Sequence, residues 1–373
     1  MHNINIVIDD NSGGVLSVSE KLFDALNEQG FSTSFINLKD TDNGLLLRFF
    51  FGIFSLLRNE KKDVYLLMHF TPVFLGVILR FIGYKKLINV IHIDLVGYFE
   101  TVGFCKRLVI RLIFFLIKKE PMVFVSKEAM LRAKNFFNLK DVSYIYNLQG
   151  LTIESHAYAE SIQLTLSDNK KTRLGMVSRL HSVKNIDLAI RVVKELKESG
   201  YDIELIIYGD GLEKDRLSKY VAQLDCSEFV ILAGRCDDKR KIFDSFDALI
   251  SFASLEGLPT VILESLSFNT PVFYTDCHSG PRELMSPNAD PLKKTDSFED
   301  TGSGFLVKPI LKNELRPYAL DLSESEKLYV DYLIRFVDKI NVNGFSDGTL
   351  NKEFDSKYIL GQWFYLINKV AND

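Results

Sequence analysis

Cysteine is scarce in this chain, with four residues in 373 that lie far apart in the sequence. Cys105, Cys226, Cys236 and Cys277 form no CxxC pair, which argues against a disulfide framework or a zinc knuckle and favours a reducing cytoplasm. The opening residues MHNINIVIDD lack the basic start, apolar stretch and small-residue cleavage site of a signal peptide. We therefore expect a cytoplasmic protein without disulfides.

The sequence also lacks a long uncharged hydrophobic run. Its three most apolar stretches cover residues 45–57, 64–82 and 102–119, and Arg80 and Arg111 interrupt the last two. A membrane-spanning helix needs about 20 predominantly apolar residues. The sequence therefore predicts no transmembrane segment.

Positive charge is concentrated in one apolar part of the chain. The formal net charge is −4, yet residues 44–140 contain 16 Lys and Arg against 6 Asp and Glu, a net charge of +10. A surface that is both basic and apolar suits the anionic face of a membrane. No nucleic-acid-binding motif accompanies this charge, so we expect no nucleic-acid partner.

The stretch 102–119 has two interpretations. On a helical wheel, Arg107, Arg111 and Lys118 fall within about 40°, and apolar side chains occupy most of the remaining circumference. The pattern fits a core helix with one solvated stripe, and it also fits an interfacial helix that rests on the inner leaflet of a membrane.

The first half of the chain alternates between strand and helix patterns, which predicts a parallel sheet covered on both faces. A composition of 47% apolar and 25% charged residues is that of a globular protein, and the length favours two domains. Strands are predicted at 4–8, 31–38, 64–68, 87–92 and 122–125, and helices at 72–82, 104–118 and 127–137.

A polar stretch at 154–171 is typical of an interdomain linker, and a second alternating series follows it. This series has strands predicted at 173–178, 203–208, 229–233, 248–252 and 271–275, and helices at 185–199, 212–224, 238–245 and 259–268. We predict an N-terminal domain over 1–165 and a second doubly wound domain over 172–340. A helical segment over 341–373 is expected to cross back to the first domain.

The segment Ser254–Glu264, SLEGLPTVILE, follows a predicted buried strand and opens a helix. Ligands bind at the carboxyl ends of strands in doubly wound sheets. Pro259 suits the first helical turn, and Glu264 lies in an apolar run where its carboxylate needs a partner, which two sugar hydroxyls would supply. The backbone amides expected to face an anion at this helix end belong to Gly257, Leu258, Thr260 and Val261.

The form EGLPTVILE resembles the donor-site signature of retaining glycosyltransferases of the GT-B, family 4 type. The match continues through Ser279–Glu283 (SGPRE), Arg179 with Lys184, and the segment 302–307, which together span about 172–310 in the expected order. Over residues 1–150 the resemblance is general only. The resemblance implies two facing Rossmann-like domains separated by a deep cleft.

The resemblance also assigns roles to single residues. Arg179 and Lys184 would clamp the donor diphosphate, Glu256 would hold the hydroxyls of the donor sugar, and Glu264 those of the ribose. From the first domain, Gly13 and Gly14 would approach the phosphates and His92 would lie over the reactive sugar. Arg235 and Cys236 would contact the base through their backbone.

Neither a metal nor another cofactor is expected, because two cations and a helix end can neutralise a leaving diphosphate. Asp237-Asp238 is read as a helix cap rather than as a metal-binding motif. Gly209-Asp210-Gly211 lacks the third glycine of a dinucleotide-binding fingerprint and is read as a tight turn.

The function implied is transfer of a hexose or N-acetylhexosamine from a nucleotide-diphosphate sugar, with UDP as the nucleotide. The acceptor would be a polyprenyl-diphosphate-linked sugar or another surface glycan. The protein itself would be cytoplasmic and peripherally associated with the inner face of the cell membrane. Two alternatives remain open: a nucleotide-sugar epimerase of the same fold, and an inactive nucleotide-sugar-binding scaffold.

Overall fold

A computed structural model describes residues 3–9, 14–38, 60–148, 171–311, 313–342, 344–345 and 351–372. The chain divides into two compact units, one of residues 1–153 and 351–373 and the other of residues 154–350. Gly13, the apolar stretch 45–57 and nearly all of the predicted linker lie outside the described residues.

The first unit is built on a parallel sheet of six strands. In chain order its elements are β1 (Ile4–Ile8), α1 (Gly14–Glu28), β2 (Thr33–Asn37), β3 (Val64–Met68), α2 (Phe70–Phe81), β4 (Leu87–Ile91), α3 (Leu95–Thr101), α4 (Phe104–Leu116), β5 (Met122–Phe124), α5 (Lys127–Phe137) and β6 (Val142–Tyr144). The strands are ordered β2-β1-β3-β4-β5-β6. Every residue of β1, β3, β4 and β5 is buried, as helices on both faces of a parallel sheet require.

The second unit repeats this plan with seven strands, of which only β12 is antiparallel to its neighbour. Its elements are β7 (Thr172–Val177), α6 (Ile186–Glu198), β8 (Ile203–Tyr208), α7 (Lys214–Gln223), β9 (Val230–Gly234), α8 (Lys239–Phe243), β10 (Ala248–Ser251), α9 (Thr260–Ser267), β11 (Val272–Thr275), α10 (Pro281–Met285), β12 (Phe298–Asp300), β13 (Gly304–Val307) and α11 (Glu324–Val342). The strand order is β12-β13-β11-β10-β7-β8-β9.

The last described helix, α12 (Ser356–Asn372), belongs to the first unit. It packs against β3, and the ring of Phe364 stacks on that of Phe31 with centroids 5.5 Å apart. The chain thus leaves the first unit, forms the second and returns to the first.

The predicted class, α/β with two Rossmann-like domains, is confirmed. The strands predicted at 4–8, 64–68 and 203–208 and the helix predicted at 127–137 match to the residue. The prediction missed α3, β6, α10, β12 and β13. These elements have three to seven residues, too few to show a helical or strand period.

Candidate active site

The candidate site of the second unit lies where the strand order reverses. From β7 the chain moves outward through β8 to β9, whereas β10 lies on the other side of β7 and leads to β11. The loops after β7 and β10 therefore leave adjacent strands and diverge to opposite sides, which creates a crevice at the carboxyl edge of the sheet.

Direct hydrogen bonds join these two loops. The side-chain amide of Asn185 donates to the carbonyl oxygen of Phe252 at 2.7 Å. The backbone amide of Ser254 donates to the carbonyl oxygen of Val183 at 2.9 Å. Lys184, between the two tethered residues, is consequently held beside the loop that carries Glu256.

Lys184 and Glu256 form an ion pair, with Nζ 2.5 Å from Oε1. The side chain of Lys184 is 18% exposed and that of Glu256 is 9% exposed, so water screens the pair only weakly. The hydroxyl of Tyr274, at the end of β11, donates to the same Oε1 at 2.6 Å. Burial, and next the charge of Glu256, raise the pKa of Tyr274 well above its usual value, so Tyr274 stays protonated as the donor.

The start of α9 offers free backbone donors beside this pair. The amides of Gly257, Leu258 and Val261 donate to no acceptor within the described residues. The prediction for Thr260 was wrong: its amide donates to the carbonyl oxygen of Leu258 at 2.9 Å, which closes a tight turn. Pro259 is the residue before the first helical turn rather than part of it.

Arg179 follows β7 and is exposed, and it forms no ion pair with any described residue. The turn after β8 packs directly beneath its loop. A Cβ atom on Gly209 would lie 1.9 Å from the carbonyl oxygen of Ser178, and one on Gly211 would lie 2.4 Å from that of Leu180. These glycines thus permit close packing of this segment against the loop that carries Arg179.

The second carboxylate of the motif already has a protein partner. Glu264 accepts a hydrogen bond from Lys239 Nζ at 2.6 Å. From the sequence, we expected sugar hydroxyls to be the partner of this carboxylate. Lys239 begins α8, and Asp238 caps that helix by accepting from the amide of Lys241 at 3.1 Å, as predicted.

Arg235 and Cys236 precede α8. Arg235 is exposed and pairs with Asp237 at 3.1 Å. The thiol of Cys236 donates weakly to the carbonyl oxygen of Asp238 at 3.7 Å. The structure places both at the carboxyl end of β9, which is separated from β10 by the two strands β7 and β8.

Tyr274 is the site residue that the sequence analysis missed. A tyrosine within the apolar strand PVFYT is indistinguishable from a core aromatic until the fold places its hydroxyl beside Glu256. Arg282 of the SGPRE segment is also buried. It pairs with Asp276 at 2.5 Å and Glu299 at 2.9 Å, which fixes the loop whose His278 carbonyl accepts from the Glu256 amide.

In the first unit, Gly14 is the first residue of α1, and a Cβ added to it would meet nothing within 4 Å. His92 follows β4 and is 9% exposed, and its Nε2 has no hydrogen-bond partner. Burial, and next the neighbouring His69, lower the pKa of His92 to about 3. His92 is therefore a neutral imidazole at physiological pH. No cluster of metal-ligating side chains occurs within the described residues.

The chain is similar in sequence to known glycosyltransferases. Residues 158–332 match the family model of glycosyl transferases group 1. An uncharacterized glycosyltransferase of Methanocaldococcus jannaschii is 30% identical over 195 residues, which is 51% of this chain and 48% of that protein. The poly(ribitol-phosphate) alpha-N-acetylglucosaminyltransferase of Staphylococcus aureus is 22% identical over 281 residues, covering 75% of this chain and 50% of the relative.

A third relative comes from Campylobacter jejuni, the N-acetylgalactosamine-N,N'-diacetylbacillosaminyl-diphospho-undecaprenol 4-alpha-N-acetylgalactosaminyltransferase. It is 32% identical over 157 residues, 42% of this chain and 38% of that protein. The chain thus spans half the length or less of these three relatives.

Solved structures extend the likeness to the whole chain. A glycosyltransferase of Rickettsia africae superposes with a TM-score of 0.68 at 14% identity, covering 99% of this chain and 98% of the other. Anabaena Alr3699/HepE in complex with UDP and glucose gives 0.67 at 16% identity, covering 99% and 100%. The fold is that of the GT-B glycosyltransferases. The match to the glycosyl transferases group 1 model lies within the second unit, so the likeness to that family rests on this unit.

The buried neutral state of His92 predicts a dependence of stability on pH. Its pKa in the folded protein, about 3, lies below the ordinary value of about 6.5. The folded state, in which His92 is neutral, therefore has its full stability above about pH 6.5 and loses stability as the pH falls towards 3. When the pH is lowered from about 7.5 to about 5.5, the free energy of unfolding should fall by about 1.4 kcal/mol because of His92. Urea denaturation at the two pH values measures this change.

The variant His92→Gln should lack this part of the pH dependence. His181→Gln is the matched control, because His181 is exposed and should leave the dependence unchanged. Equal slopes for wild type and His92→Gln would contradict the assignment of a buried neutral imidazole.

Proposed function

We propose that the protein transfers a hexose or N-acetylhexosamine from a UDP-sugar, with retained anomeric configuration, to a hydroxyl of a polyprenyl-linked or other surface-glycan acceptor. One observation carries the proposal: Lys184, Glu256 and the free amides at the start of α9 meet at the switch point of the second sheet. Cationic and amide donors suit a diphosphate, and a carboxylate beside them suits sugar hydroxyls.

Charge neutralisation is the main chemical task of such a site. The acceptor oxygen attacks the anomeric carbon, the bond from that carbon to the diphosphate oxygen breaks, and a diphosphate oxygen takes the proton of the acceptor hydroxyl. Lys184, Arg179 and the amides of Gly257, Leu258 and Val261 would stabilise the negative charge that develops on the leaving group. We propose that these groups act without a metal, so activity should survive chelation with EDTA.

Binding of the donor would exchange partners at Glu256. In the structure, Lys184 and Glu256 pair with each other at 2.5 Å. A diphosphate offers Lys184 more negative charge than one carboxylate does. Once Lys184 turns to the phosphates, Tyr274 still holds Glu256 Oε1, and the carboxylate can accept hydrogen bonds from sugar hydroxyls.

The remaining predicted residues complete the proposal. Glu264 would exchange Lys239 for the ribose hydroxyls, and the backbone of Arg235 and Cys236 would contact the base. For His92, Gly13 and Gly14 of the first unit, the roles that the resemblance implies stay predictions.

Relatives support the choice of acceptor and setting. The Campylobacter jejuni relative is named for transfer to a diphospho-undecaprenol-linked sugar, and a solved neighbour of this fold is titled a lipopolysaccharide outer core galactosyltransferase. Transfer to such an acceptor would place this protein peripherally at the cytoplasmic face of the membrane. No helix of the described ranges combines the length and hydropathy needed to cross a bilayer.

Replacing Lys184 with alanine should lower turnover by about two to three orders of magnitude, the cost of losing one charge-stabilising group. The assay follows release of UDP from a panel of UDP-sugars with polyprenyl-linked acceptors. Lys194→Ala is the matched control, because Lys194 pairs only with Glu198 on the same helix and its loss should leave turnover unchanged. Full activity of Lys184→Ala would remove Lys184 from the mechanism. Conversion of a UDP-sugar in the absence of any acceptor would instead indicate an epimerase.

Tyr274→Phe tests the positioning of Glu256. Loss of a hydrogen bond to a charged group, about 1.5–3 kcal/mol, should reduce kcat/KM about 10- to 100-fold. The affinity for UDP, measured by calorimetry, should fall less than kcat/KM does, because UDP lacks the donor sugar that Glu256 would hold. Tyr329→Phe removes another buried hydroxyl, bonded to the carbonyl oxygen of Lys308 at 3.1 Å, and should leave kcat/KM unaltered. An equal loss of UDP affinity in Tyr274→Phe would show that Tyr274 supports the fold and does not position Glu256.

A further inference from the structure

Helix α4 turns an apolar face to solvent. Surface helices ordinarily bury their apolar side and expose their polar one. In α4 the buried positions are Ile110, Ile113 and Phe114, and the opposite side is apolar as well. The large apolar side chains exposed along that side are Phe104 (74%), Leu108 (53%), Val109 (48%), Leu112 (59%), Phe115 (61%) and Leu116 (46%). We call these six residues the α4 ridge.

Cations line one flank of the α4 ridge. The guanidinium of Arg107 donates to the carbonyl oxygen of Val102 at 2.9 Å, and that of Arg111 lies 5.4 Å from the centroid of the Phe99 ring. The ammonium of Lys118 lies 4.3 Å from the ring centroid of Phe115. The stems of these side chains follow the protein surface, which leaves their charges beside the ridge.

The stretch 104–119 contains five Lys and Arg and no Asp or Glu. Its occupant must therefore be apolar at the centre and anionic at the edge. A second copy of the chain would bury these cations without supplying acids from the same stretch. An anionic lipid surface provides acyl chains for the ridge and phosphates for the flank.

The length of α4 sets its orientation. Thirteen residues extend about 20 Å, less than the roughly 30 Å of a bilayer core. The helix also packs against α2 and α5, which keeps one side on the protein. Only an orientation parallel to the membrane plane immerses the whole α4 ridge at once.

We propose that the α4 ridge inserts into the acyl-chain boundary of an anionic leaflet, with Arg107, Arg111 and Lys118 at the headgroup phosphates. The inference rests on the proposed function in one respect, that a polyprenyl-linked acceptor lies in the same membrane. It specifies that the protein would reach that acceptor through helix α4, that the exposed apolar side of this helix would meet the membrane, and that the lipid would be anionic.

Flotation with vesicles tests the insertion. The full chain should float with vesicles of phosphatidylglycerol and phosphatidylcholine, and about tenfold less with phosphatidylcholine alone. The double variant Leu112→Asp/Phe115→Asp should lose at least about tenfold in partition to the mixed vesicles. Leu320→Asp, at a 61% exposed leucine of the second unit, should float like the wild type. Equal flotation of the double variant and the wild type would overturn the proposal.

Cys105 gives a direct readout of depth, because it is an exposed cysteine beside Phe104. An environment-sensitive fluorophore on Cys105, in a Cys236→Ser background, should shift to shorter wavelength when mixed vesicles are added. No shift on vesicles that the protein demonstrably binds would overturn insertion by α4.

Two further measurements separate the remaining outcomes. A concentration-dependent dimer in sedimentation, abolished by Leu112→Asp/Phe115→Asp, would assign the ridge to a second copy and overturn the lipid proposal.

Calorimetry with UDP distinguishes failure of the membrane inference from failure of the proposed transferase function. Intact UDP binding without flotation would refute only the membrane inference, whereas flotation without UDP binding would refute only the transferase.

Discussion

The arrangement of the candidate site rests on the contact between Lys184 and Glu256. These residues are 72 positions apart in the sequence, and their ion pair joins the loops of two strands from which the chain departs in opposite directions. Withdrawing two charges from water is costly unless other hydrogen bonds support them. Tyr274 supplies such a bond to Glu256, and the tethers from Asn185 and Ser254 hold the backbone in place. The ion pair is thereby held in a fixed arrangement.

Sequence reasoning found the elements and failed at the pairings between them. Buried strands of four to six residues are recognisable in the sequence as apolar runs. For this reason β1, β3 and β8 were predicted to the residue. The partner of Glu264, Lys239, is 25 residues distant and belongs to another helix. Spacing along the chain carries no signal for such a contact. The Thr260 amide was misjudged for a related reason, since the turn that occupies it depends on the local path of the backbone.

The two readings of the stretch 102–119 were separable only in three dimensions. A helical wheel shows which residues share a face but does not show which face meets the core. The cationic sector of α4 flanks the buried side, so the face turned outward is the apolar one. A core helix would have hidden that face, and a solvated helix would have replaced it with polar residues. Apolar exposure on this scale ordinarily marks an interaction surface.

Under the proposed function, the two carboxylates of the motif release their partners at different cost. Lys239 is 44% exposed and returns to water when Glu264 takes up the ribose, a small loss for a surface pair. Lys184 is mostly buried, so it needs a new anion before it can leave Glu256. UDP alone would satisfy Lys184 and leave Glu256 with only Tyr274, and a free sugar would have to compete with Lys184. Only the intact nucleotide sugar would satisfy both charges, so this ion pair would favour the donor over the product.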